Sequence, residues 1–170
     1  AQTQKIVCYT AGHMYDLMII GGGPAGVAAG VYAARKRLKT VLIAEEIGGQ
    51  SVVSDGIENW IGSPKIRGID LAKLFSIHLD AVKSDIVTLV AHERVMSLKK
   101  VEGGFLATTK TGKELAAKAV LLATGAGRRK LNIPGADTFE NKGVTYCASC
   151  DGPLFSGMDV AVVGGGNAGF

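Results

Sequence analysis

The 170-residue sequence contains few aromatic residues and only three cysteines, and each scarcity excludes a class of protein. Aromatic side chains make up 6% of the chain, and its basic residues form no long stripe, so the surface expected of a nucleic-acid-binding protein is missing. Three cysteines do not make the disulfide framework of a small secreted domain. Apolar residues reach 47%, which is typical of a globular protein with a packed core.

Long uninterrupted apolar runs are also absent. The segment 15–34 is apolar, but charged residues bracket it and the turn Gly21–Pro24 interrupts it, so we expect no membrane span. Residues 1–13 show no secretory signal, and we expect a cytoplasmic protein. Gly12-His13-Met14 is typical of a cloning junction before a natural start, so residues 1–13 are interpreted as a tag. A linker from an upstream domain is the alternative.

The order of strand-like and helix-like patterns predicts an α/β fold with a parallel sheet. The predicted elements are strands at 15–20, 40–43 and 119–123 and helices at 24–36 and 69–84. Asp70 is the expected cap of the second helix. Residues 86–109 show short β-like runs with a turn at 102–104, which predicts a small antiparallel insertion.

The chain is predicted to contain two domains. Residues 14–127 form a Rossmann-like nucleotide-binding domain, and residues 128–170 hold a connection and the start of a second Rossmann-like domain. That start is a predicted buried strand at 159–163, which a second glycine-rich turn follows directly.

The first glycine-rich turn, GGGPAG at 21–26, fits the pattern GxGxxG directly after a strand and before a helix. Gly21 permits the tight turn, Gly23 lets the backbone approach a pyrophosphate, and Gly26 lets the helix pack closely on the strand. The N-terminus of the helix then faces the phosphates. Glu45 ends the second strand, where an acid binds ribose hydroxyl groups. The pattern predicts a dinucleotide site.

The second turn repeats this spacing at Gly164, Gly166 and Gly169, while its helix and its acidic residue would lie after Phe170. Two such motifs in one chain imply two dinucleotides. A protein that binds two dinucleotides can transfer hydride from the nicotinamide of one to the flavin of the other.

A CxxC pair, Cys147 and Cys150, lies between the two glycine-rich turns. Zinc would need two further ligands, and we expect no metal because the other candidates are not paired in sequence. Those candidates are Cys8, His13, His78 and His92. Two structural thiols are the alternative, but CxxC spacing lowers a thiol pKa and favours reversible oxidation. With Asp151 as a nearby proton donor and acceptor, the pair indicates an electron relay.

Six segments carry a resemblance to a known family. They are GGGPAG at 21–26, GGQ at 48–50, IENW at 57–60, ATGA at 123–126, KGVTYCASCDGPLF at 142–155 and GGGNAG at 164–169. In this order they resemble the thioredoxin reductase family of pyridine nucleotide-disulfide oxidoreductases, which includes the flavoprotein subunit of alkyl hydroperoxide reductase. The segment around the CxxC pair favours the hydroperoxide-reductase branch.

The resemblance implies FAD on the first motif and NADH or NADPH on the second. The implied flavin contacts are Gly21, Gly23, Pro24, Ala25, Gly26, Glu45, Gly49, Gln50, Asn59, Thr124 and Gly125. It further implies that Cys150 lies against the isoalloxazine ring, that Cys147 attacks the partner disulfide, and that Asp151 is the acid–base group.

The function implied by the resemblance is NAD(P)H-dependent reduction of a protein disulfide. Electrons would pass through FAD and the Cys147–Cys150 dithiol to a thioredoxin-like or peroxiredoxin-system protein, in a homodimer. Family members continue through the rest of the NAD(P)H domain and return to complete the FAD domain, so the 170 residues alone are expected to be inactive. A non-catalytic FAD-binding or redox-sensing fragment is the alternative, and a flavin-dependent oxidase is a third possibility.

Overall fold

The computed structural model describes residues 14–83, 86–127, 129–140, 142–148 and 152–166. The chain divides into two compact units, Ala1–Ala126 and Gly127–Phe170. Within the described ranges, no helix has both the length and the apolar character needed to cross a bilayer. The assignment of one unit to each cofactor stays a prediction.

The described part of the first unit is built on one six-stranded sheet with two α-helices. The strands are β1 (Tyr15–Ile20), β2 (Thr40–Ala44), β3 (Val87–Ala91), β4 (Val95–Val101), β5 (Gly104–Thr109) and β6 (Glu114–Leu122), and the helices are α1 (Pro24–Arg35) and α2 (Gly68–Val82). A 3₁₀ turn covers Gly49–Val53. The strand order is β3-β2-β1-β6-β5-β4. The pairs β3–β2, β2–β1 and β1–β6 are parallel. β5 pairs antiparallel with both β4 and β6.

Both faces of the central strands are buried, which explains why β1 and β2 are continuous apolar runs. On one face, Ile19 and Leu42 pack with helix residues such as Phe75. On the other face, Met18 and its neighbours pack against Ala107 of β5. The sheet therefore holds helices on one side, and the β4–β5 hairpin contributes to the core on the other.

The start of α2 differs from the expectation in one respect. The helix begins at Gly68 and its N-cap residue is Arg67, so the prediction that Asp70 caps it was wrong. Asp70 lies inside the first turn, and its carboxylate binds Arg67 Nε at 2.6 Å and Lys73 Nζ at 3.2 Å. There it complements the positive end of the helix dipole without capping a backbone N–H.

The antiparallel insertion is smaller than expected, because β3 joins the parallel sheet beside β2. The antiparallel part consists of β4, β5 and the beginning of β6. β6 starts at Glu114, five residues before the predicted strand at 119–123, and continues without a break from the hairpin to β1. The periodicity of apolar residues indicates that a segment is a strand, but it does not indicate which neighbouring strand the segment pairs with.

In the second unit, the predicted buried strand at 159–163 is not formed: these residues are exposed and irregular. A strand needs a neighbour for its N–H and C=O groups, and the described residues of this unit supply none. The elements described there are a 3₁₀ turn at Gly152–Phe155 and a bridge between Glu140 and Val144. The tyrosine hydroxyl of Tyr146 accepts a hydrogen bond from the Leu131 N–H at 3.1 Å.

Candidate functional site

The glycine-rich turn after β1 lies between the carboxyl ends of two neighbouring strands. The Gly21 N–H donates to the Ile43 carbonyl of β2 at 2.9 Å, and the Ala123 N–H donates to the Ile20 carbonyl at 2.9 Å. Ala123 directly follows β6, so three strand ends meet here. In open parallel sheets, this edge is where ligands bind.

Protein packing alone requires glycine at three positions of the turn, and one of them is Gly22, where a Cβ would lie 2.5 Å from the Glu46 carbonyl oxygen. Gly21 has a φ of +117°, and a Cβ there would overlap the Ala123 carbonyl oxygen. A Cβ on Gly26 would overlap the Gly21 carbonyl oxygen, since α1 packs directly on the turn. These contacts explain the first and third glycines of the motif.

Gly23 is different, because a Cβ there would meet no described atom within 4 Å. Its backbone is extended, with φ −73° and ψ −178°, so an L-residue fits. Gly23 is also the N-cap of α1, Pro24 follows it, and no side-chain cap or acidic side chain serves the first turn. The free N–H groups and the helix dipole therefore favour an anion in this open space. The turn fits a pyrophosphate.

The predicted GGQ segment packs against this turn. The Gly48 N–H donates to the Gly22 carbonyl at 2.8 Å, and a Cβ on Gly49 would lie 3.1 Å from the Gly23 Cα. Gln50 follows in the 3₁₀ turn with an exposed side chain. The structure thus brings two predicted contact segments together.

Of the other predicted contacts, the pair Thr124-Gly125 is beside the turn, because it follows Ala123, and Gly125 has a φ of +64°. Ala25 is exposed in the first turn of α1. Asn59 is exposed in a loop that the Ile57–Ile66 bridge closes, where residues 58–64 line a shallow depression open to solvent. Among the described residues, no hydrogen bond joins Asn59 to the glycine-rich turn.

Glu45 follows β2 directly, and its carboxylate is engaged by a residue that the sequence patterns did not indicate. Glu45 Oε2 lies 3.2 Å from Arg94 Nε, and the side chains are 59% and 66% exposed. Arg94 comes three residues after β3. Its place after the neighbouring parallel strand is the signal that could have indicated it, because both strands end at the same edge.

Glu93 was also missed, and it is a buried acid with only 4% of its surface exposed. Glu93 Oε1 accepts a hydrogen bond from the Thr111 hydroxyl and forms an ion pair with Lys113 Nζ at 3.0 Å. The Thr111 hydrogen bond lowers the pKa of Glu93 to about 2, with help from Lys113 and Thr109 and against the opposing effect of burial. The buried carboxylate therefore ties the β3–β4 connection to the turn between β5 and β6.

The CxxC pair lies only in part within the described residues. Cys147 is disulfide-bonded, and its N–H donates to Thr145 Oγ1 at 3.3 Å. Cys150, Asp151 and Gly169 lie outside the described residues.

The second glycine-rich turn repeats one feature of the first. Gly164 has a φ of +119°, close to the +117° of Gly21. Gly164 and Gly166 are exposed, and no described atom lies within 4 Å of a Cβ built on either. The first glycine of each motif therefore has the same left-handed backbone conformation.

The family model of pyridine nucleotide-disulphide oxidoreductases matches residues 15–170. The chain belongs to this family. The chain is 45% identical over 156 residues to the F subunit of alkyl hydroperoxide reductase from Escherichia coli strain K12, and 44% identical over 155 residues to its counterpart from Staphylococcus aureus strain NCTC 8325. Each match covers 91% of this chain and 30% of the relative, so the chain spans about a third of the length of these curated relatives.

Solved structures agree with the family and the fold. The thioredoxin reductase of Streptococcus pyogenes MGAS5005 matches with a TM-score of 0.71 and 36% identity, over 84% of this chain and 45% of that chain. The thioredoxin reductase of T. acidophilum matches with a TM-score of 0.66 and 34% identity, over 84% and 46%. The predicted resemblance and the Rossmann-like α/β class of the first unit are confirmed. Oxidoreductases of this family use FAD and NAD(P)H.

Proposed function

We propose that the first unit binds FAD, with its pyrophosphate at the 21–26 turn. The observation that carries this proposal is the open space beside Gly23. Packing explains why Gly21 and Gly26, on either side of it, are glycines, but no protein atom would exclude a side chain at Gly23, whereas a bound ligand would. The uncapped N-terminus of α1 adds the N–H groups and partial positive charge that a pyrophosphate needs.

The proposed FAD contacts follow from where each residue lies. Ala25 and Pro24 continue the phosphate-binding turn into α1, and Glu45 accepts hydrogen bonds from ribose hydroxyl groups. Gly49 and Gln50 approach from the segment that packs on Gly23, and Thr124 with Gly125 approaches from the end of β6. Asn59 is proposed on the family resemblance alone.

We propose that Cys147 and Cys150 form the redox-active disulfide of the whole protein. Bound FAD supplies two electrons that originate in NADH or NADPH. Two electrons and two protons convert the disulfide to a dithiol, and Asp151 exchanges a proton with it. The Cys147 thiolate then attacks a disulfide of the partner protein, Cys150 resolves the mixed disulfide, and the partner leaves as a dithiol.

The partner is proposed to be a thioredoxin-like or peroxiredoxin-system protein, because the similar proteins are F subunits of alkyl hydroperoxide reductase and thioredoxin reductases. We propose a cytoplasmic homodimer on the same resemblance. For the nicotinamide nucleotide, we propose the turn of Gly164, Gly166 and Gly169, supported by the backbone conformation of Gly164. Because these 170 residues cover 30% of the alkyl hydroperoxide reductase F subunits that they match, we expect no NAD(P)H-dependent turnover from them alone.

The test begins by incubating the purified chain with a mixture of FAD, FMN and NAD(P) and removing what does not bind. The bound ligand is then released by heat and identified by chromatography. We expect FAD alone to be retained. Recovery of a nicotinamide nucleotide without flavin would overturn the assignment of the first turn. Two results in the whole protein would together indicate a flavin-dependent oxidase. The parent would reduce no protein disulfide, and Cys147→Ser would keep the full NAD(P)H oxidase activity.

A further inference from the structure

We propose that Arg94 is a positioning residue for the ribose-binding acid. Its guanidinium holds one carboxylate oxygen of Glu45, so that the other oxygen is presented to the ribose hydroxyl groups of FAD. The proposal rests on the proposed FAD site. It starts from the 3.2 Å contact between Arg94 Nε and Glu45 Oε2 at the carboxyl edge of the sheet.

The backbone on both sides of this ion pair is fixed by hydrogen bonds. The Glu93 N–H donates to the Ala44 carbonyl at 3.2 Å, and Ala44 directly precedes Glu45. The Lys110 N–H donates to the Arg94 carbonyl at 2.8 Å. Arg94 is therefore held between the end of β2 and the hairpin, with its side chain reaching Glu45.

The residue before Arg94 strengthens this support, because Glu93 is buried and ionised. Its carboxylate is held by Thr111 and Lys113 from the turn between β5 and β6. This buried charge leaves the connection little freedom to shift, because movement would break the hydrogen bond from Thr111 and the ion pair with Lys113. The position of Arg94 thus depends on the packed hairpin.

Stability does not explain the Arg94–Glu45 pair well. Both side chains are more than half exposed, and ion pairs of this kind contribute little to folding. Their effect on a ligand is different, because a carboxylate already held in one rotamer loses less conformational entropy when FAD binds. We expect this preorganisation to change FAD affinity about two- to tenfold.

The experiment is a double-mutant cycle on FAD affinity of the chain, measured by quenching of flavin fluorescence. Arg94→Ala should raise the Kd about two- to tenfold, and Glu45→Ala should raise it about ten- to hundredfold, because a hydrogen bond to a charged group is lost. The double variant should bind no more weakly than Glu45→Ala. Arg94→Lys, which keeps the charge, should recover part of the affinity.

Arg35→Ala is the matched control, since Arg35 is exposed at the opposite end of α1, and its Kd should equal that of the parent. An Arg94→Ala loss of equal size with and without Glu45 would show that Arg94 does not act through Glu45, and would overturn the inference. An unchanged Kd in Arg94→Ala would do the same while leaving the FAD site intact. Absence of FAD binding by the parent chain would instead overturn the proposed function.

Discussion

Gly26 lies directly against the carbonyl group of Gly21, so that a Cβ built on Gly26 would come 2.9 Å from the carbonyl carbon and closer still to its oxygen. This contact holds the first turn of α1 on the end of β1. Gly23, between the two, makes no such contact with any described residue. The motif therefore contains glycines of two kinds, and a pair of alanine substitutions separates them.

Gly26→Ala should destabilise the chain. The added methyl group would push α1 away from the Gly21 carbonyl, and overpacking of this kind costs about 1–3 kcal/mol. Urea unfolding followed by circular dichroism measures the change. A variant as stable as the parent would show that the helix shifts without cost and that the close contact is not required.

Gly23→Ala is the matched substitution with the opposite outcome. Its extended backbone and open surroundings should leave the urea midpoint unchanged. FAD binding should weaken by at least about tenfold, because the methyl group occupies the space proposed for the pyrophosphate and desolvates it. Parent-like FAD affinity in this variant would place the pyrophosphate elsewhere.

Much of the first unit follows from sequence because its signals are local. The range of β1 is as predicted, and α1 ends one residue before its predicted end. The glycine spacing also correctly predicted a tight turn at Gly21, which has a φ of +117°, and close packing at Gly26. These predictions depend on apolar runs, a proline at the first helical position and a fixed motif, all of which act within a few residues.

Other features could not be predicted because they depend on distant partners. Glu93 and Arg94 follow a strand in an ordinary polar connection, and nothing local shows that one is buried and the other reaches Glu45. The parallel pairing of β3 and the full length of β6 likewise depend on the path of the chain. The predicted strand at 159–163 failed for the same reason, since an apolar run alone does not supply a pairing neighbour.

Acid should weaken the fold through Glu93. Its pKa is about 2 in the folded chain, below the ordinary 4.5, so its contribution to stability is fully present above about pH 4.5 and is lost as the pH falls toward 2. Urea midpoints of the parent and of Glu93→Gln, measured between pH 2 and 7, should therefore converge at the acid end.

Glu102→Gln is the control for this titration, because Glu102 is exposed in the turn between β4 and β5. Its curve should run parallel to that of the parent. A constant difference between Glu93→Gln and the parent across the whole range would show that protonation of Glu93 is not coupled to unfolding.

The proposed electron relay predicts separate effects on flavin and on thiols in the whole protein. Cys150→Ser should leave reduction of the flavin by NAD(P)H intact, because hydride reaches the flavin before the cysteines are involved. Disulfide reduction should stop. Anaerobic stopped-flow measures bleaching of the flavin, and a thiol assay measures the product. Full turnover of a protein disulfide by Cys150→Ser would contradict the relay.

The place of β6 in the sheet has a consequence for how the chain folds during synthesis. β6 comes last in the unit but lies beside β1, which comes first, and the Lys118–Asp16 ion pair joins side chains 102 residues apart. Until Leu122 has left the ribosome, β1 has only β2 as a neighbour and one edge without hydrogen-bond partners. Contacts this distant in sequence slow folding. The nascent chain therefore exposes an apolar strand edge throughout synthesis of the hairpin, and chaperone contact during translation would protect that edge from aggregation.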